Sequence, residues 1–162
     1  MGKQICVIGN AEPTPEQYQL ALEVGRIIAQ TGHVSITGGR SGVMEAVARG
    51  AKIEGGVSVG ILPSDDMSDS NEFNTINIPT GMGYTRNALN IYAADLVIIV
   101  GGSTGTLNEM TFAWMYAKPM YAILGSGGYG EEWIGKSFDD RREDKIKGVA
   151  LDQLSGLLTN LD

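Results

Sequence analysis

Apolar residues in this chain come in short runs, and most of the runs stop at glycine or proline. Lys3 to Ile8, His33 to Thr37, Val57 to Leu62, Phe73 to Ile78, Leu96 to Val100 and Met120 to Leu124 read as strands, with Ile146 to Ala150 as a last edge strand. Leu96-Val97-Ile98-Ile99-Val100 has no polar alternation at all, which marks a parallel strand buried on both faces. Between the strands the period changes to that of a helix. Thr14 as N-cap, Pro15 at the first helical position and Gln17 as capping-box partner start a helix whose face is Leu20, Val24, Ile27 and Ile28, with Gly32 as its C-cap. Val43 to Ile53 follows with Val43, Val47 and Ala51 inward. Tyr84 to Ala94 reads as about three helical turns, the run after Thr106 reaches Tyr116, and Asp152 caps a short helix ending near Leu161. Gly125 to Gly130 reads as a flexible turn, and Glu131 to Gly148 as a helix with loops. Strands alternating with helices predict a three-layer α/β/α fold on a mainly parallel sheet, as one domain over residues 1–162.

Composition narrows the function classes. Hydrophobic residues at 43% and charged residues at 19% describe a folded chain. A formal net charge of −7 speaks against nonspecific binding to nucleic acid or to anionic membranes, and no apolar run has membrane-spanning length. Cys6 is the single cysteine and lies in an apolar run, so a reduced, cytoplasmic setting is expected. With one cysteine and one histidine, no metal-ligand set is expected, and no cofactor is required. The anomaly is 23 glycines, clustered after apolar runs.

Three of those clusters fall at strand carboxyl ends: Gly9-Asn10, Gly38-Gly39-Arg40-Ser41-Gly42, and Gly101-Gly102-Ser103-Thr104-Gly105-Thr106. In a parallel sheet these ends line one crevice. The third cluster opens a helix, where free N–H groups and the positive helix end suit an anion, a contact of about 0.3–1 kcal/mol. Arg86 and Glu109 each stand near the start of a helix that follows a glycine turn. An arginine there suits phosphate, and a carboxylate there suits a sugar with oxocarbenium character or an activated water. Neither glycine loop fits the dinucleotide pattern G-x-G-x-x-G, and Thr37 stands where an acidic ribose ligand belongs. Gly130 to Ser137 matches a P-loop in letters, but it carries Glu131, Glu132 and Trp133 and leads into Phe138-Asp139-Asp140-Arg141-Arg142, which has no helical face. His33, at the amino end of its strand, reads as an edge residue.

The run Gly101-Gly102-Ser103-Thr104-Gly105-Thr106-Leu107-Asn108-Glu109 resembles the P-G-G-x-G-T-x-x-E motif of the lonely guy (LOG) family, Rossmann-like proteins long mislabelled as lysine decarboxylases. Thr37 to Met44 resembles that family's G-G-G-x-x-G-L-M turn, and Arg86-Asn87 its R-K pair. The resemblance spans Lys3 to Leu124. It implies a Rossmann-like nucleotide-binding domain and hydrolysis of the N-glycosidic bond of a nucleoside 5′-monophosphate. Arg86 and Glu109 would be the catalytic residues. Gly9, Asn10, Gly38, Gly39, Gly42, Met44, Gly102, Ser103, Thr104, Gly105 and Thr106 would hold the phosphate and nucleotide. The sequence departs from the motif at Gly101, Ser103, Asn108, Asn87 and Thr85, and there it looks more like the branch containing molybdenum-cofactor carriers. That branch implies a non-catalytic carrier or sensor of a nucleotide or of molybdenum cofactor. Met110, Phe112, Trp114, Met115 and Tyr116 surround their helix with apolar surface, so a homodimer or larger homo-oligomer is expected.

Overall fold

The first strand, β1 (Gln4–Gly9), lies in the middle of the sheet, because Ile5, Cys6, Val7 and Ile8 have apolar neighbours on both faces. The computed structural model describes residues 2–161. After β1 come α1 (Pro15–Gln30), β2 (Val34–Thr37), α2 (Val43–Ile53), β3 (Ser58–Leu62) and β4 (Ile76–Pro79). A 3-10 turn (Gly83–Arg86) runs into α3 (Asn87–Tyr92), followed by β5 (Leu96–Val100), α4 (Thr104–Met115), β6 (Met120–Ile123), α5 (Gly128–Glu132), β7 (Lys147–Val149) and α6 (Leu151–Thr159). All seven strands are parallel, in the order β4-β3-β2-β1-β5-β6-β7. The fold is the Rossmann-like α/β/α sandwich that the alternation predicts.

Side-chain alternation sorts the core into two halves. Ile5, Val7, Leu96, Ile98 and Val100 pack against Ala21, Val24 and Ile28 of α1, Val43 and Val47 of α2, and Leu154 and Leu158 of α6. Cys6, Ile8, Val97 and Ile99 point the other way, onto Ile91 of α3 and Met110, Ala113 and Trp114 of α4. Each fully buried Val, Leu, Ile or Met among them contributes about 1.5–3 kcal/mol relative to exposure. The α1 capping box forms as read, with Gln17 N–H donating to Thr14 Oγ1 at 3.1 Å and Thr14 N–H to Gln17 Oε1 at 3.0 Å. His33 is structural: Lys3 N–H donates to its Nδ1 at 3.0 Å, so its Nε2–H donates to the Leu158 carbonyl at 2.8 Å.

Several boundaries differ from the sequence expectation. The fourth strand begins at Ile76 and not at Phe73, because Asn71 Oδ1 accepts from the N–H groups of Phe73 and Asn74 and folds them into a turn. Pro79 closes that strand from within, which an edge position tolerates. The expected helix from Tyr84 to Ala94 is a 3-10 turn and a short α3 ending at Tyr92. Asp152 lies inside the first turn of α6, whose N-cap is Ala150. Residues 133–145 form no helix. They make a cover for α4, in which Trp133 stacks on Phe138 with centroids 4.2 Å apart and Trp114 Nε1–H donates to Asp139 Oδ1 at 2.7 Å. Arg142 lies over the Trp114 ring and donates to the Lys118 carbonyl at 3.1 Å. This cover helps bury Trp114, which is 1% exposed.

Gly125 to Gly130 is also more than a flexible turn, since Gly128 opens α5 and docks on the central glycine loop. Gly128 has φ +62°, and a Cβ there would stand 2.5 Å from the Gly101 carbonyl carbon and 2.6 Å from the Gly102 nitrogen. Gly125 has φ +84° but nothing within 4 Å of a built Cβ. Both positions strain an L-residue, and only Gly128 adds a backbone collision. Gly125→Ala is expected to destabilise by about 1 kcal/mol and Gly128→Ala by about 2–4 kcal/mol in urea unfolding. Equal losses would refute the docking of α5 on the loop.

Candidate functional site

The strand order reverses at β1 and β5, which lie side by side with Gly9 opposite Val100. Each is followed by a helix on a different face of the sheet, and a crevice opens at their carboxyl ends. Asn10 organises the turns around it. Its side-chain oxygen accepts the Gly102 N–H at 2.5 Å, and its carbonyl accepts the Val43 N–H at 3.0 Å. The Gly101 N–H goes to Ser126 Oγ at 3.0 Å, while the Gly101 and Gly102 carbonyls accept from Gly130 and Tyr129. Gly101 and Gly102 are therefore committed to shaping the loop. The donors left for a ligand are the first-turn N–H groups of α4 at Thr104 and Gly105, which have no carbonyl within the helix to bond. A Cβ at Gly105 would meet nothing within 4 Å, so this helix end is bare.

Two adjoining chambers lie over that end. One, of about 200 Å³, is bordered by Gly9, Gly38, Met44, Ser103, Gly105 and Thr106, with Arg40, Arg86 and Glu109. The other, of about 470 Å³ and mostly apolar, is bordered by Tyr84, Thr85, Asn87, Thr104, Gly105, Asn108 and Phe112. Tyr84, Asn87 and Gly105 belong to both. Of the residues expected to hold a ligand, Asn10, Gly39, Gly42 and Gly102 do not border either chamber. They shape the turns from behind.

Arg86 is 7% exposed, and three of its N–H groups are engaged. Nε donates to the Ile61 carbonyl at 2.7 Å, one terminal nitrogen to the Gly38 carbonyl at 3.1 Å, and the other to Asn87 Oδ1. It thus ties the ends of β2 and β3 to the start of α3. Burial lowers its pKa from the usual arginine value, and the Glu109 charge opposes that shift.

Glu109 is 8% exposed at the floor of the smaller chamber, where Asn90 Nδ2 donates to its Oε1 at 2.9 Å. Burial raises its pKa to about 7, against the Asn90 hydrogen bond and the Arg86 charge. One rung away, Asn87 Nδ2 donates to Asn108 Oδ1 at 3.0 Å. Two amide-bearing contacts therefore join α3 to α4 alongside the crevice.

Sequence reading did not single out Asn90, the hydrogen-bond partner of Glu109, or Arg40, which borders the smaller chamber. Asn90 is four positions after Arg86, one helical turn on, and that spacing is a signal for a shared face. Asn90 Oδ1 is buried without a hydrogen-bond partner. Among the described residues, no group of three or more His, Cys, Asp or Glu is placed to hold a metal ion. Among them too, no helix is long and apolar enough to cross a membrane.

Several known proteins are similar to this chain in sequence or in fold. An Archaeoglobus fulgidus protein is 48% identical over 121 residues, 74% of this chain and 79% of its own. The cytokinin riboside 5′-monophosphate phosphoribohydrolase of Mycobacterium tuberculosis is 33% identical over 116 residues, 68% of this chain and 61% of its own. Among solved structures, the molybdenum cofactor binding protein of Rippkaea orientalis is 38% identical with a TM-score of 0.74, covering 76% of this chain and 77% of its own. The molybdenum cofactor carrier protein of Chlamydomonas reinhardtii is 29% identical with a TM-score of 0.80, covering 98% and 96%. The family model that matches, over residues 2–151, fixes the affiliation: the chain belongs to the SLOG cluster4 family, a LOG-like group.

Proposed function

We propose that this protein binds and carries a small phosphorylated molecule with a planar ring system, either molybdenum cofactor or a nucleoside 5′-monophosphate. The observation that carries this reading is the meeting of the two chambers at Gly105. The bare helix end and cationic walls of the smaller chamber suit a phosphate. The larger, flanked by Tyr84 and Phe112, suits a ring stacked or packed on aromatic surface. The likeness to molybdenum cofactor binding and carrier proteins supports the carrier role. So does the wall chemistry, since among the described residues Glu109 is the single carboxylate bordering the smaller chamber, and Asn87 and, in the larger chamber, Asn108 are neutral.

A second reading is favoured by Glu109 itself and by the likeness to the Mycobacterium tuberculosis phosphoribohydrolase. A buried carboxylate with a pKa near 7 at the crevice floor could stabilise a ribose cation as the base departs, with water then adding to the anomeric carbon. Incubation with a panel of nucleoside monophosphates, with chromatography for free base, separates the two. The carrier reading expects tight binding and no free base. Free base released by the unsubstituted protein and abolished in Glu109→Gln would establish the hydrolase instead.

Association of copies of this chain belongs to the same proposal. The surface that best suits it is the half of the sheet that, among the described residues, no helix covers on the α3 side, where Val57 is 37%, Ile76 47% and Ile78 44% exposed beside Val59 and Ile61. Sedimentation at micromolar concentration should show a dimer or larger assembly, and Ile76→Lys with Ile78→Lys should yield the monomer. A monomeric parent protein would reject the assembly.

Two further measurements test the placement. Gly105→Val should weaken binding of a nucleoside monophosphate by roughly tenfold or more without unfolding the chain, because its side chain fills space that is open in the protein. Unchanged affinity would remove the phosphate from this helix end. The raised pKa of Glu109 means the folded chain holds a proton that the unfolded chain releases above its ordinary value of 4.5. Stability from this group is therefore fully present below that value and is lost as pH rises through about 7. Glu109→Gln should abolish this loss, on the order of 2–3 kcal/mol in urea unfolding between pH 5 and pH 8. Parallel pH profiles for the two proteins would contradict a buried, proton-holding Glu109.

A further inference from the structure

Arg40 stands in the turn between β2 and α2 and borders the same chamber as Arg86 and Glu109. Its backbone is held firmly. The Arg40 carbonyl accepts from Asn71 Nδ2 at 2.9 Å, and the Gly39 carbonyl accepts from the Asn71 N–H and from Asn74 Nδ2, both at 2.9 Å. These contacts dock the polar 64–74 connection onto the turn.

The side chain is held loosely by comparison. It is 48% exposed, and its contact within the chain is Nε to Asp69 Oδ2 at 3.3 Å, longer than the 2.7–2.9 Å typical of a charge-assisted hydrogen bond. Asp69 is itself steadied through its other oxygen, which accepts from Ser64 Oγ at 2.6 Å. The outer edge of the Arg40 guanidinium, with its two terminal nitrogens, makes no hydrogen bond to the described residues.

Arg86 is the opposite case. Its guanidinium is buried, and its bonds to the Ile61 and Gly38 carbonyls would be left open if it turned to follow a ligand. The two cations face one small space, and the Arg40 charge is one of the influences that lower the pKa of Arg86. An anion between them relieves that repulsion, which a neutral ligand cannot do.

We propose that Arg40 is the residue that reads the phosphate. On this view Asp69 holds the guanidinium at the chamber wall, and an incoming phosphate takes over its free edge in a bidentate contact. Arg40 then discriminates phosphorylated ligands from their dephosphorylated counterparts, while Arg86 supplies a fixed positive wall. This rests on the phosphate placement proposed above and assigns its recognition to one side chain and one competing carboxylate.

The test is calorimetric titration of inorganic phosphate, AMP and adenosine into the full chain and into Arg40→Gln, Arg40→Lys, Asp69→Asn and the Asp69→Asn/Arg40→Gln double variant. The parent protein should prefer AMP over adenosine by roughly tenfold or more, and Arg40→Gln should lose most of that preference while adenosine binding stays within about twofold. Arg40→Lys, which keeps the charge but not the fork, should fall between them. Asp69→Asn should tighten AMP by about two- to fivefold, and the double variant should bind as Arg40→Gln does, because the carboxylate acts only through the arginine. An AMP preference unchanged in Arg40→Gln, or an Asp69→Asn gain that survives in the double variant, overturns the role of Arg40 alone. A parent protein that binds neither phosphate nor AMP overturns the phosphate site, and Arg40 with it.

Discussion

The pairing of β1 with β5 is the constraint on which the rest of the structure depends. The chain builds outward from β1 to β4 and then returns to the other side of β1. Parallel strands need crossovers, and here the two central strands are followed by helices on opposite faces, α1 behind one and α4 behind the other. The backbone leaving Gly9 and the backbone leaving Val100 therefore diverge. No side chain has to be invoked to make the crevice; topology alone opens it, and the local sequence decides how it is lined.

Few of the residues bordering the two chambers are charged, and neutral amides on and behind the walls do most of the positioning. Asn10, Asn87, Asn90 and Asn108 set the turns and the α3–α4 spacing through amide contacts, and the charged residues Arg86 and Glu109 are seated against them. Neutral amides hold fixed distances without adding net charge, so the formal charges bordering the smaller chamber are those of two arginines and one carboxylate, beside the positive end of α4. With that carboxylate near its midpoint at neutral pH, the balance of charge there leans positive in a protein whose formal net charge is −7.

Much of this was legible in the sequence where one local rule decides the outcome. Leu96 to Val100 is buried on both sides of the sheet, so its apolar run could be read directly, and Thr14-Pro15-Glu16-Gln17 could only start a helix cleanly. Reading failed where a distant residue sets the local structure. Phe73 to Thr75 has strand composition, yet Asn71 turns it. The glycines after Ile123 have the composition of a loose loop, yet three of them meet Gly101 and Gly102 or open a helix. The positions of Arg86 and Glu109 beside the crevice were legible from their place near helix starts. Their partners were not, because the Ile61 carbonyl and Asn90 come from other elements. Arg40 was hidden among the glycines of its own turn, and its bond to Asp69 crosses a connection that pattern alone describes only as polar.

Pro79, at the end of the outermost strand, has a consequence for how this sheet can grow. A further strand laid along β4 would find no amide hydrogen at that residue, and on the opposite edge β7 offers only Lys147 to Val149. Continuation of the sheet from one molecule to the next is thereby discouraged at both margins, while the apolar half-face above β2, β3 and β4 stays open. What the described residues leave accessible is the broad side of the sheet, side chains and not backbone, and the strand-by-strand polymerisation to which an unguarded parallel sheet is exposed is disfavoured at its margins.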